Sequence, residues 1–75
     1  MGANFAVEQR MRMIDFLLAH YGAVGRDQLV DYFGISTAQA TRDFRLYREK
    51  APGNAVMDTV SKKYIQGTGF KRIYE

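Results

Sequence analysis

The stretch Phe33–Arg48, FGISTAQATRDFRLYR, contains the end of one helix, a hinge and the start of another. Gly34 supplies the left-handed freedom with which helices commonly terminate. Ile35 is an apolar plug in the turn, and Ser36 is a favoured N-cap for the second helix. Gln39, three residues on, completes the S-x-x-Q spacing of a capping box. Ala40, Phe44 and Tyr47 then recur at i, i+4 and i+7, which predicts a helix over about 37–50 with one apolar stripe. The other side opens on small side chains, Thr37, Ala38 and Thr41, and continues with Arg42 and Arg45, with Arg48 higher on the flank.

Upstream, Leu29, Val30 and Phe33 give a short helix at about 27–33, with Asp27 at the positive end of its dipole. Two short helices joined through Gly-Ile-Ser form a helix-turn-helix pattern. Further back, Val7, Met11, Ile14, Leu18 and Tyr21 have a 4-3-4-3 spacing, the stripe of a first helix over about 4–21. Asn4 is its expected N-cap, and Gly22 its terminator. Glu8, Arg12, Asp15 and His20 fall off the stripe and are expected in solvent. Ala23-Val24-Gly25 is expected to be an extended link with Val24 turned inward.

Downstream, Pro52-Gly53-Asn54 breaks the chain. The runs AVMD (55–58) and KKYIQ (62–66), joined by TVS, predict a β-hairpin over about 55–66. Gly67 and Gly69 bracket a further turn in a C-terminal segment, 67–75, whose Phe70, Ile73 and Tyr74 are placed to pack back on the helices. The pattern is that of an α+β winged helix-turn-helix: three helices plus a C-terminal β-hairpin wing, in a single domain over residues 1–75.

Composition narrows the chemistry. A chain of 75 residues, 47% apolar, suits one small folded domain with little room for an enclosed substrate cavity. It has no Cys and one His, His20, so neither a disulfide framework nor a metal-ligand cluster is expected. Asp15, Asp27, Asp31 and Asp43 are scattered along helices without forming a carboxylate dyad, and Ser36 has no neighbouring base. The GTG at 67–69 is not a phosphate-binding loop. The expectation is a protein without catalytic residues, metal or cofactor. The longest apolar run, FLLA (16–19), is far too short to span a bilayer, so no membrane partner and a cytoplasmic, nucleoid-associated location are expected.

The formal net charge is +3, and the segment from Arg42 onward carries eight of the eleven Lys and Arg residues. In helix-turn-helix motifs the second helix enters the major groove with its N-terminal residues at base edges. On that reading Thr37, Gln39 and Thr41 offer hydrogen-bonding groups, and Arg42 and Arg45 can fork onto guanine or clamp phosphates. Arg26, Arg48 and the wing residues Lys62 and Lys63 are candidate phosphate contacts. The expected partner is double-stranded DNA. Two other uses of the same pattern stay open: a winged helix that docks onto a protein, and a single-strand or RNA binder that stacks bases on Tyr and Phe.

Four motifs also carry a resemblance: L-x-x-x-G-x-V-x-R (18–26), F-G-I-S-x-x-Q-A-T-x-D (33–43), Y-x-x-x-A-P-G-N (47–54) and D-x-x-x-K-x-Y (58–64). Over about residues 10–74 the chain resembles the N-terminal winged helix of WYL-domain transcriptional repressors found with bacterial phage-defence islands. A looser likeness is to DeoR-type helix-turn-helix domains. The resemblance implies the DNA-binding module of a bacterial repressor that acts as a homodimer on an inverted-repeat operator. It also implies an aromatic residue at position 57, where this chain has Met.

Overall fold

The apolar stripes of three helices meet on one another, and a small sheet closes the remaining side. The computed structural model describes residues 5–74. It contains α1 (Phe5–Tyr21), β1 (Ala23–Val24), α2 (Arg26–Phe33), α3 (Thr37–Lys50), β2 (Ala55–Asp58) and β3 (Lys63–Gln66). Met11, Ile14, Leu18, Leu29, Ala40, Phe44 and Tyr47 are fully buried and form the helical core. Tyr64, from the sheet, lays its ring on Phe44 at 4.2 Å between centroids, nearly parallel.

The strands lie in the order β1-β3-β2, antiparallel throughout. Val24 and Met57 both pair with Tyr64, so one face of the sheet is seated on the core. β2 and β3 are the wing. Its turn is held by Asp58, whose carboxylate accepts from the Ser61 hydroxyl at 2.7 Å and from the Val60 and Ser61 amides. Lys62 takes a left-handed φ of 63° there, and its amide donates to the Asp58 carbonyl.

Several expectations are corrected. Ala23-Val24 is a strand of the sheet rather than a link. Val24 is buried, and the Leu18 carbonyl accepts from both Gly22 N and Gln66 Nε2, which ties the helix end to the sheet. Tyr21, the last residue of α1, is off the core and 72% exposed, and Gly22 turns the chain directly after it at φ 76°. Asp15, expected in solvent, is completely buried. α2 begins one residue earlier, at Arg26, after Gly25 donates its amide to Gln28 Oε1 at 2.6 Å. Phe70 and Tyr74 pack on the core, whereas Ile73 is exposed. Met57, in place of the implied aromatic, is half-buried against the core. The expected N-cap Asn4 lies outside the described residues.

Candidate nucleic-acid interface

α3 is amphipathic around its whole length. Ala40, Asp43, Phe44 and Tyr47 point inward, whereas Ala38, Arg42, Arg45 and Glu49 lie exposed on the far side. Its 14 residues make a rod about 21 Å long, and a helix with side chains is ~10–12 Å across, close to the width of the DNA major groove. The wing and the N-terminus of α2 flank this rod. A shallow cleft of about 390 Å³ between them is lined by Arg26, Val30, Thr37, Ser61, Lys62 and Lys63, with Asp27 and Asp31 on the α2 wall.

The structure distributes the predicted site residues over the exposed face of α3, the cleft and the interior side of the helix. Arg42 and Arg45 stand on the exposed face of α3. Thr37, Arg26, Lys62 and Lys63 gather at the cleft. Arg48 lies on the wing side, its guanidinium 5.7 Å from the centre of the Tyr64 ring, within cation–π range. Thr41 is half-buried and its hydroxyl is engaged: it donates to the Thr37 carbonyl at 3.1 Å and accepts from Arg26 at 3.3 Å. Thr41 thus orients Arg26 toward α3.

Gln39 departs from the capping-box expectation. Ser36 Oγ accepts from the Gln39 amide at 3.0 Å, so the N-cap is made. The Gln39 side chain does not return to the cap. Its Nε2 donates to Asp43 Oδ1 at 3.0 Å and its Oε1 accepts from Arg42 at 3.1 Å. The bond that Gln39 Nε2 donates to the buried Asp43 carboxylate is charge-assisted, and so stronger than the neutral bond its Oε1 would accept from the solvated Ser36 amide.

That carboxylate belongs to a buried pair that local sequence patterns do not reveal. Arg10 of α1 donates to Asp43 through Nε at 2.6 Å and through a terminal nitrogen at 3.3 Å, with the two residues only 8% and 2% exposed. The spacing carried part of the signal: Ala40, Asp43, Phe44 and Tyr47 stand at i, i+3, i+4 and i+7, which places Asp43 on the buried stripe.

The candidate face takes part in none of the ion pairs among the described residues. Among the described residues the pairs are Arg10–Asp43, Arg12–Glu8 and Arg72–Asp15. Arg26, Arg42, Arg45, Arg48, Lys62 and Lys63 are in none of them, nor are Lys50 and Lys71, and Asp27 and Asp31 line the same cleft as Arg26, Lys62 and Lys63 without pairing to them. The Asp58 carboxyl is held below the usual carboxylate range, first by the Ser61 hydroxyl and then by the Val60 amide. The ionised Asp58 carboxylate is thus the form that holds the wing turn. Among the described residues there is no cluster of three or more metal-binding side chains, and no helix is long and apolar enough to cross a membrane.

Comparison with known proteins agrees with this architecture. A family described as the BrxR transcriptional regulator winged helix-turn-helix domain matches residues 6–74. Similar relatives include a DNA-binding transcriptional repressor CapW of Escherichia coli (strain KTE188), 37% identical over 73 residues. A CapW repressor of Pseudomonas aeruginosa is 36% identical over 73 residues, and one of Stenotrophomonas maltophilia 37% over 65. The first two alignments cover 97% of this chain but 24% of the relative, and the third covers 87% and 22%. The chain thus spans about a quarter of the length of the curated relatives it matches. With three helices, the paired wing and a match over nearly every described residue, the chain belongs to the BrxR transcriptional regulator winged helix-turn-helix domain family.

Proposed function

We propose that this chain is the duplex-DNA-binding module of a bacterial transcriptional repressor, with α3 in the major groove and the wing against the phosphate backbone. The observation that carries the reading is the unpaired cationic face: Arg42 and Arg45 on the groove-sized helix, and Arg26, Lys62 and Lys63 around the adjoining cleft. The repressors named CapW supply the functional class by relationship. Arg42 and Arg45 are the base-reading candidates. Thr37 and the exposed amides at the start of α3 suit a phosphate, as do Arg26, Arg48, Lys62 and Lys63.

One such domain buries a small interface, so operator selectivity is expected from two copies on an inverted repeat in the cytoplasm. Selection from random duplexes tests the whole reading. The expected result is an enriched sequence, bound with steep salt dependence, that contains an inverted repeat. Equal recovery of all sequences at every salt concentration would reject it.

A second reading has one observation in its favour. Phe16, Tyr21 and Tyr32, exposed by 42%, 72% and 71%, line an apolar groove with Met13 and Leu17 on the side of α1 and α2. Patches of this kind mark protein contacts. A winged helix used only for protein docking would show no salt-dependent affinity for duplex DNA.

A further inference from the structure

Arg10 is buried, yet a continuous chain of hydrogen bonds leads from it to the exposed face of α3. Arg10 grips Asp43 with two nitrogens; Asp43 Oδ1 accepts from Gln39 Nε2; Gln39 Oε1 accepts from Arg42. An ionised carboxylate only accepts hydrogen bonds, so the amide must turn its NH₂ group toward Asp43. The carbonyl end of Gln39 is then forced outward, where it meets the Arg42 guanidinium at 3.1 Å.

This anchoring has two effects. Gln39 is not free to read adenine with a donor and an acceptor together, because its NH₂ group is held below. Arg42 spends one N–H on Gln39 and keeps the rest of its five-donor fork for a ligand. A long exposed side chain otherwise samples many rotamers, and a fixed acceptor three residues back narrows that range before binding.

We infer that Arg10 is a positioning residue for sequence specificity: acting through Asp43 and Gln39, it pre-aims Arg42 at a guanine in the major groove. This rests on the DNA-binding reading above. Base preference at one position of the operator is then set from beneath the recognition helix, by a side chain that never touches DNA.

The test compares the wild-type chain with Arg42→Ala, Gln39→Met and Arg10→Lys on the selected duplex, on duplexes with each guanine replaced in turn, and on random duplex. Wild type is expected to favour guanine at one base pair roughly tenfold to a hundredfold, and Arg42→Ala to erase that preference there alone. Gln39→Met, which has similar length and leaves the buried pair intact, is expected to cut the same preference about threefold to tenfold. Its affinity for random duplex should change less than about twofold, since phosphate contacts are untouched. Arg10→Lys keeps the charge but not the fork and should act in the same direction. If its thermal unfolding shows it does not fold, Gln39→Met decides. Discrimination by wild type that survives undiminished in Gln39→Met, or in Arg42→Ala, overturns the relay while sparing the DNA reading. Equal losses of Gln39→Met on all duplexes also overturn it. A wild-type chain with no preference among duplexes overturns both.

Discussion

The Tyr47 hydroxyl donates to Asp15 Oδ1 at 2.6 Å, and neither residue has any surface in solvent. Asp15 also accepts from Arg72 Nε and from the amides of Ile73 and Tyr74. Asn54 adds a second tie. Its Nδ2 donates to Tyr47 Oη and to the Lys71 carbonyl, while its Oδ1 accepts from the Lys71 amide. One buried carboxylate of α1 thus joins the C-terminal part of α3 to the C-terminal segment.

The linkage gives a pH signature. Burial first, and donation to Asp15 second, push the Tyr47 hydroxyl well above its ordinary pKa of 10.0. A group with a raised folded-state pKa contributes its full stability below the unfolded value and loses it as pH climbs above that value. The expected outcome is a wild-type stability that falls above about pH 10, with Tyr47 contributing a slope near ~1.4 kcal/mol per pH unit. Tyr47→Phe should lose about 1–2 kcal/mol at neutral pH and lack that part of the alkaline slope. Urea unfolding at several pH values measures both; identical slopes for the two proteins would contradict the assignment.

Gly67 has no room for a side chain. A Cβ there would lie 1.8 Å from the Gly53 carbonyl oxygen, which is backbone and has nowhere to go. The Gly67 amide also donates to the Asn54 carbonyl at 2.9 Å, so the two turns are locked together. Gly67→Ala should destabilise by about 2 kcal/mol or more, in the range for forced overpacking. Gly69→Ala meets no atom within 4 Å and should be close to neutral or slightly stabilising. Melting temperatures of the two variants side by side check the contrast.

Periodicity made the three helices and the wing legible because each carries a run of apolar residues at one spacing. Tertiary effects were not legible in the same way. Two strand residues, Ala23 and Val24, are too few for an alternation pattern, and only the pairing with β3 makes them a strand. Asp15 reads as solvent-facing and Asp43 as a scattered helix carboxylate, although each stands at i+4 or i+3 from an apolar stripe residue, Met11 and Ala40. Their partners, Tyr47 and Arg10, are 32 and 33 residues distant, beyond any local rule. The cationic face of α3 was readable from spacing. The orientation of Gln39 was not, since it depends on the carboxylate brought beneath it.

The wing turn should open only below the ordinary carboxylate range. Asp58 is accessible to protons, but its folded-state pKa is lowered by the Ser61 hydroxyl and the Val60 amide. A depressed carboxylate contributes stability above its unfolded pKa and loses it as pH falls through the lower, folded value. Amide exchange at Val60 and Ser61 is therefore expected to stay protected down through pH 3.8, the ordinary carboxylate value, and to lose that protection below it. Asp58→Asn should show the weakened protection already at neutral pH. Unchanged protection in that variant would mean the carboxylate does not hold the turn.

Lys63 and Arg45 should separate the two components of DNA affinity. Lys63 comes directly after the wing turn and lines the cleft with Arg26 and Thr37, so its charge is placed for a phosphate rather than a base edge. Lys63→Ala should weaken binding to all duplexes similarly and reduce the slope of log affinity against log salt by about 0.9, the value for one neutralised phosphate. Arg45 lies on the exposed face of α3, one turn beyond Thr41 and beside Arg42. Arg45→Ala should cost about 1–3 kcal/mol on the selected sequence if its fork meets a guanine, and much less on random duplex. Titrations of both variants at three or more salt concentrations resolve the difference. A Lys63→Ala slope equal to wild type removes the wing from the interface, and an Arg45→Ala loss equal on all sequences moves Arg45 from base reading to phosphate contact.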